Sequence, residues 1–104
     1  LRVGGLGGII GREGKLGRRE EAEHLRMMGA VLREKPEVLV LHAGPDVPGR
    51  RVHGSAPIRE VLEGREEVLV VCGHAHWEEP LATLTGGTQV LNVDSRAVLL
   101  QRAR

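Results

Sequence analysis

Three of the five histidines in this chain stand where apolar runs stop. His42 closes Val38-Leu39-Val40-Leu41, and Cys72-Gly73-His74-Ala75-His76 follows Val68-Leu69-Val70-Val71 directly. Neutral imidazole is a common ligand of borderline divalent metals such as zinc, manganese and iron. On extended backbone, residues two apart point to one side, roughly 6.5–7 Å from Cα to Cα. His74 and His76 so placed would hold one metal together or serve two neighbouring metals. Gly73 leaves room for close approach of a ligand to the backbone. A lone histidine at a strand end is more commonly a hydrogen-bonded structural residue, and a lone His-x-His is weak as a signal. Two strand ends that carry three histidines between them favour a metal site built from His42, His74 and His76.

The elements that must position these rings are legible as patterns. Val38–Leu41 and Val68–Val71 are continuous apolar runs, suited to strands covered on both faces. Ligands of open α/β sheets bind beyond the carboxyl ends of the strands, and neighbouring strands lie about 4.8 Å apart. Pairing of the two runs would therefore gather the three imidazoles at one end of a sheet. The spacing of Leu25, Met28 and Leu32 predicts a helix over 18–34, with His24 on its polar, solvent-facing side and Pro36 beyond its end. Ser55 is placed to cap a short helix over 56–62 that turns Ile58, Val61 and Leu62 inward. Residues 81–84, 88–93 and 97–101 read as short strands, with a Gly86-Gly87 turn between the first two. The glycine-dense stretch 1–17 reads as a strand end at Leu1–Val3 followed by a flexible loop. The expected fold class is α/β: two parallel-type strands with helices, then an antiparallel C-terminal meander, within a single domain over 1–104.

Composition narrows the function classes. With 40% hydrophobic and 28% charged residues, the chain belongs with soluble globular proteins. Trp77 is the one aromatic, so aliphatic side chains must build the core. A net charge of +1, from 15 basic and 14 acidic residues, argues against a nonspecific grip on nucleic acid, which needs clustered excess cations. No apolar run approaches the roughly 20 residues of a membrane span. A single cysteine, Cys72, cannot form an internal disulfide, which makes a reducing cytoplasm the expected location and Cys72 a small apolar filler. The chain opens on Leu1 rather than Met, with no recognisable signal peptide, and is expected to begin inside a longer protein. Gly14-Lys15 does not make a phosphate loop, because Ile9 and Leu16 occupy positions that need Gly and Ser or Thr.

The ordered set of motifs resembles the C-terminal half of the calcineurin-like metallophosphoesterases. Leu41-His42-Ala43-Gly44-Pro45 is similar to that family's strand-His element, Gly54-Ser55 to its helix start, and Gly73-His74-Ala75-His76 to its Gly-His-x-His. Leu91-Asn92-Val93-Asp94-Ser95 stands where the family commonly has Val-Asn-x-Gly-Ser, with Asp94 in place of the glycine. The likeness covers most of residues 36–96. It implies a partial αββα sandwich and two divalent metal ions, manganese, iron or zinc, in the intact enzyme. His42 and His74 would hold one ion and His76 the other. A metal-bridged hydroxide would attack a phosphomonoester or phosphodiester, with the ions neutralising charge on the phosphoryl oxygens.

The family's N-terminal motifs, Asp-x-His, Gly-Asp-x-x-Asp and Gly-Asn-His, do not occur in this sequence, and its aspartates, Asp46 and Asp94, stand in other contexts. Low or no activity is therefore expected of this chain by itself, and no catalytic residue is identified in it. A missing N-terminal half or another chain is the expected partner, and self-association follows from the strand edge and apolar sheet face that half a sandwich exposes. The alternative is a noncatalytic binding or assembly module that keeps the fold. A metallo-β-lactamase-like hydrolase is disfavoured, since Glu78-Glu79 stands where that family wants Asp-His. Arg50, Arg51 and His53 are candidate phosphate contacts set against a plain solvated loop. Glu78 is a candidate partner for a ligand imidazole, set against simple exposure.

Overall fold

The computed structural model describes residues 1–11 and 15–103. In chain order the elements are β1 (Val3–Leu6), β2 (Ile9–Ile10), β3 (Arg18–Arg19), α1 (Glu21–Arg33), β4 (Val38–Ala43), α2 (Ala56–Glu63), β5 (Leu69–Gly73), β6 (Leu81–Thr83) and β7 (Gln89–Asn92). Five strands form one mixed sheet in the order β1-β4-β5-β7-β6. The first four run parallel, and β6 lies antiparallel to β7 at the edge. The fold class is thus α/β, with a mixed sheet and, among the described residues, two helices.

Strand burial alternates with the pleat, as side chains that point to opposite faces require. Leu39, Leu41, Val70, Cys72, Val90 and Asn92 are buried beneath the helices, which meet each other on that face. Met28 and Leu32 from α1 and Ile58 and Leu62 from α2 join this core. The other face is open: Val40 is 43% exposed and Val3 59% exposed. Strands covered on both faces were the expectation; among the described residues only one layer of helices is present, because both crossovers, β1-α1-β4 and β4-α2-β5, advance across the sheet in the same direction. Ser55 caps α2 as expected, its Oγ accepting from Ile58 N at 3.2 Å.

Several expectations are corrected. The glycine-dense stretch contributes β1 and β2; Gly4 lies so close to Val31 of α1 that a side chain there would collide with it. Residues 12–14 of that stretch lie outside the described residues. The first helix starts at Glu21, since Arg18 and Arg19 pair with Ile9 and Ile10 as β3. The C-terminal part is no meander: β7 pairs with β5 in parallel and leaves β6 at the edge, and residues 97–101 form no strand. Val98, Leu99 and Leu100 are exposed, so their apolar run has no strand to pair with and no core to enter.

His24, expected at the surface, is 1% exposed. It shares the buried stripe of α1 with Met28 and Leu32, at a spacing of four residues. Arg19 covers it, its Nη1 lying 2.6 Å from Gly7 O and 3.3 Å from His24 Nδ1. A guanidinium only donates, so His24 Nδ1 is the acceptor and the neutral ring carries its proton on Nε2. Burial first, and the Arg19 charge second, lower the His24 pKa from its ordinary 6.5. The unfolded chain therefore binds a proton that the folded one refuses, and stability present above pH of about 6.5 is lost as pH falls toward the folded value. The urea midpoint is expected to drop between pH 7.5 and 5, and to drop less in His24→Gln.

Candidate metal centre

β4 and β5 pair side by side in register up to Leu41–Cys72, after which Ala43 pairs with Gly73. His42 is the extra residue of a bulge on β4, a device that re-aims a side chain at a strand end. The peptide after it is packed tightly: Gly44 lies against Cys72, and Gly54 against the Pro45 carbonyl, so that neither position has space for a Cβ. Gly44 O accepts from Ser55 N at 3.0 Å, tying the strand end to the start of α2. Arg59 of α2 holds the same loop through Asp46 at 2.6 Å.

His74 follows β5 with φ of 67°, in the left-handed region. Non-glycine residues there are uncommon, and such strain is found preferentially at functional sites. Ala75 N donates to Gly73 O at 2.8 Å, closing a tight turn. The turn corrects the expectation of extended backbone through His74-Ala75-His76.

The outcome is one close pair and one separate ring. His42 Nε2 lies 3.1 Å from His74 Nδ1, with ring centroids 4.9 Å apart and planes inclined by 59°. Both rings are exposed at the C-terminal end of the parallel strands. His76 faces a different cleft, shared with Arg51, Trp77 and Glu79, while His74 lines one with His53 and Ser55. His76 Nδ1 is 3.1 Å from Asp94 O and 3.8 Å from Asp94 Oδ2. Among the described residues, no three His, Cys, Asp or Glu side chains lie close enough to share one ion. The convergence of all three rings on one point, expected from the two strand ends, is therefore not what the backbone produces.

The lesser candidates have plain roles. Arg50 donates to Leu81 O at 3.1 Å and Glu79 O at 2.8 Å, and its guanidinium stands 5.8 Å from the Trp77 ring centre. It clasps two loops together and is spent as a phosphate contact. Arg51 and His53 are exposed, and the His53 carbonyl accepts from Trp77 Nε1 at 3.1 Å. Glu78 is exposed, and Asp94 takes the position beside His76 that Glu78 was a candidate for. Cys72 is buried and its thiol is pushed up to about 11 by burial, which leaves it inert as a nucleophile at neutral pH. The contribution of Asp94 was missed because its useful atom is a backbone carbonyl, which residue type does not reveal.

Comparisons with protein-family models, curated proteins and solved structures find no match for this chain. Among the described residues, no helix is long and apolar enough to cross a membrane.

Proposed function

We propose that this chain supplies the histidine ligands of a binuclear-metal phosphoesterase, within an αββα sandwich completed by further polypeptide. The observation that carries the reading is the 3.1 Å approach of His42 Nε2 to His74 Nδ1 across two adjacent strand ends. Two imidazole nitrogens bound to one tetrahedral zinc at 2.0–2.1 Å stand about 3.3 Å apart, so the pair has nearly the spacing of two ligands on one ion. The assignment of His76 to the second ion rests on the likeness of Gly73-His74-Ala75-His76 to the family's Gly-His-x-His. Asp94 O, as an acceptor, would fix the ring so that the other nitrogen can bind. The open sheet face supports the sandwich, in which a second sheet would cover Val3 and Val40.

When bound, a pair of divalent ions would polarise a phosphoryl group and make water a better nucleophile. The task of this chain is to hold and orient. His42 and His74 would hold one ion from the ends of β4 and β5, and His76 would offer a ligand from the loop between β5 and β6. Substrate would be a phosphomonoester or phosphodiester. The bridging carboxylate must come from outside this sequence, which lacks Gly-Asp-x-x-Asp. That lack is also what favours the second reading, an assembly module without chemistry.

Calorimetric titration with Zn²⁺ and Mn²⁺ separates the two. The enzyme reading expects saturable binding of at least one ion, with hydrolysis of an aryl phosphodiester near background for this chain by itself. Failure to bind either ion would leave the assembly module.

A further inference from the structure

We infer that Asn92 and Arg96 are positioning residues that lock the histidine loop to β7 and hold His76 with its Nε2 free to bind a metal. Asn92 ends β7 and is 0% exposed. Both polar atoms of its side chain are bonded. Nδ2 donates to Ala75 O at 2.7 Å, while Oδ1 accepts from Trp77 N at 3.4 Å, Asp94 N at 3.3 Å and Arg96 Nη1 at 3.2 Å. Ala75 lies between His74 and His76, so this one amide grips the loop at its midpoint. Arg96 reaches the next turn, its Nη2 donating to Trp77 O and, at 3.0 Å, to Glu78 O.

A polar side chain with no exposure is costly unless its bonds are all made, and an aliphatic residue would suit the neighbouring core positions better. The network is intelligible as a device for placing backbone. It places Asp94 as well, whose carbonyl oxygen stands 3.1 Å from His76 Nδ1. A carbonyl oxygen has no proton to give. The neutral His76 ring must therefore donate from Nδ1, which leaves the lone pair on Nε2. Metal-ligating histidines make this same bond through their other nitrogen, and its loss typically costs 10–100-fold in affinity. Asn is required over Asp at position 92, since a carboxylate oxygen in place of Nδ2 would face the Ala75 carbonyl at 2.7 Å.

What the inference says of metal rests on the phosphoesterase reading; what it says of the His76 tautomer does not. The test compares the protein with Asn92→Asp, Arg96→Ala and Arg96→Lys, by ¹⁵N chemical shifts of His76 at a pH where the ring is neutral, by thermal melting, and by Zn²⁺ affinity. Expected are a single Nδ1–H tautomer in the parent protein and a mixture in Asn92→Asp and Arg96→Ala. Because the same loop carries His74, Zn²⁺ affinity at the His42–His74 pair should fall by about 10–100-fold in those variants that still melt cooperatively, with partial recovery in Arg96→Lys. An Nε2–H tautomer in the parent protein overturns the proposal, as does a folded Arg96→Ala protein with unchanged tautomer and affinity. Should the parent protein bind no Zn²⁺, the phosphoesterase reading fails, while the tautomer result still decides the positioning role.

Discussion

Replacing His74 with alanine is expected to lower the affinity for Zn²⁺ by more than about 100-fold, and His42→Ala should do the same. Losing a partner that merely orients a ligand costs 10–100-fold, and here a ligand itself is removed from a site to which the fold gives two imidazoles. Both rings are exposed at the sheet end, so little packing goes with them. The hydrogen bond between them is worth about 1 kcal/mol at most. Alanine at position 74 inherits the left-handed backbone, which disfavours it by roughly 1–2 kcal/mol. A His74→Gly protein, free of that penalty, should show the same loss of metal with stability retained. Calorimetry for the ion and urea unfolding for the fold together separate loss of a ligand from loss of structure.

Trp77→Ala is expected to have the largest effect on stability, about 3–5 kcal/mol. That is a large part of the 5–15 kcal/mol available to a typical domain. Trp77 is 2% exposed and is the only aromatic in the chain. Its Nε1 bonds His53 O at 3.1 Å, Arg50 stands over its ring, and its backbone is held by Asn92 and Arg96. The side chain thus joins the loop after β4, the histidine loop and the end of β7. Trp77→Phe should cost less, because it keeps part of the buried area and loses the bond to His53 O. Urea unfolding followed by circular dichroism measures both, since the variants have no tryptophan fluorescence.

What could be read from residues alone divides along physical lines. β4, β5 and the Ser55 cap were legible because each is set locally, by apolar runs and by a side-chain oxygen next to a helix start. Adjacency of β4 and β5 was only a condition in the sequence reading; the structure supplies it, and with it comes the His42–His74 approach. The direction of His76 was not legible. It depends on one left-handed φ at His74, a conformation that glycine would have signalled and that histidine adopts only occasionally. The insertion of β7 between β5 and β6 is a tertiary choice: its alternation serves either neighbour equally well. His24 was misplaced because a histidine reads as polar, while Arg19, which buries it, comes from a two-residue strand with no pattern of its own. The apolar run at Ala97–Leu100 shows the converse, a strand-like sequence with no strand beside it.

Diffraction from crystals of the protein grown with Zn²⁺ or Mn²⁺, recorded across the absorption edge of the ion, tests the metal centre most directly. An anomalous peak about 2.0–2.2 Å from both His42 Nε2 and His74 Nδ1 is the predicted result. Ions found only elsewhere on the surface, with those two nitrogens still in direct contact at 3.1 Å, would contradict it.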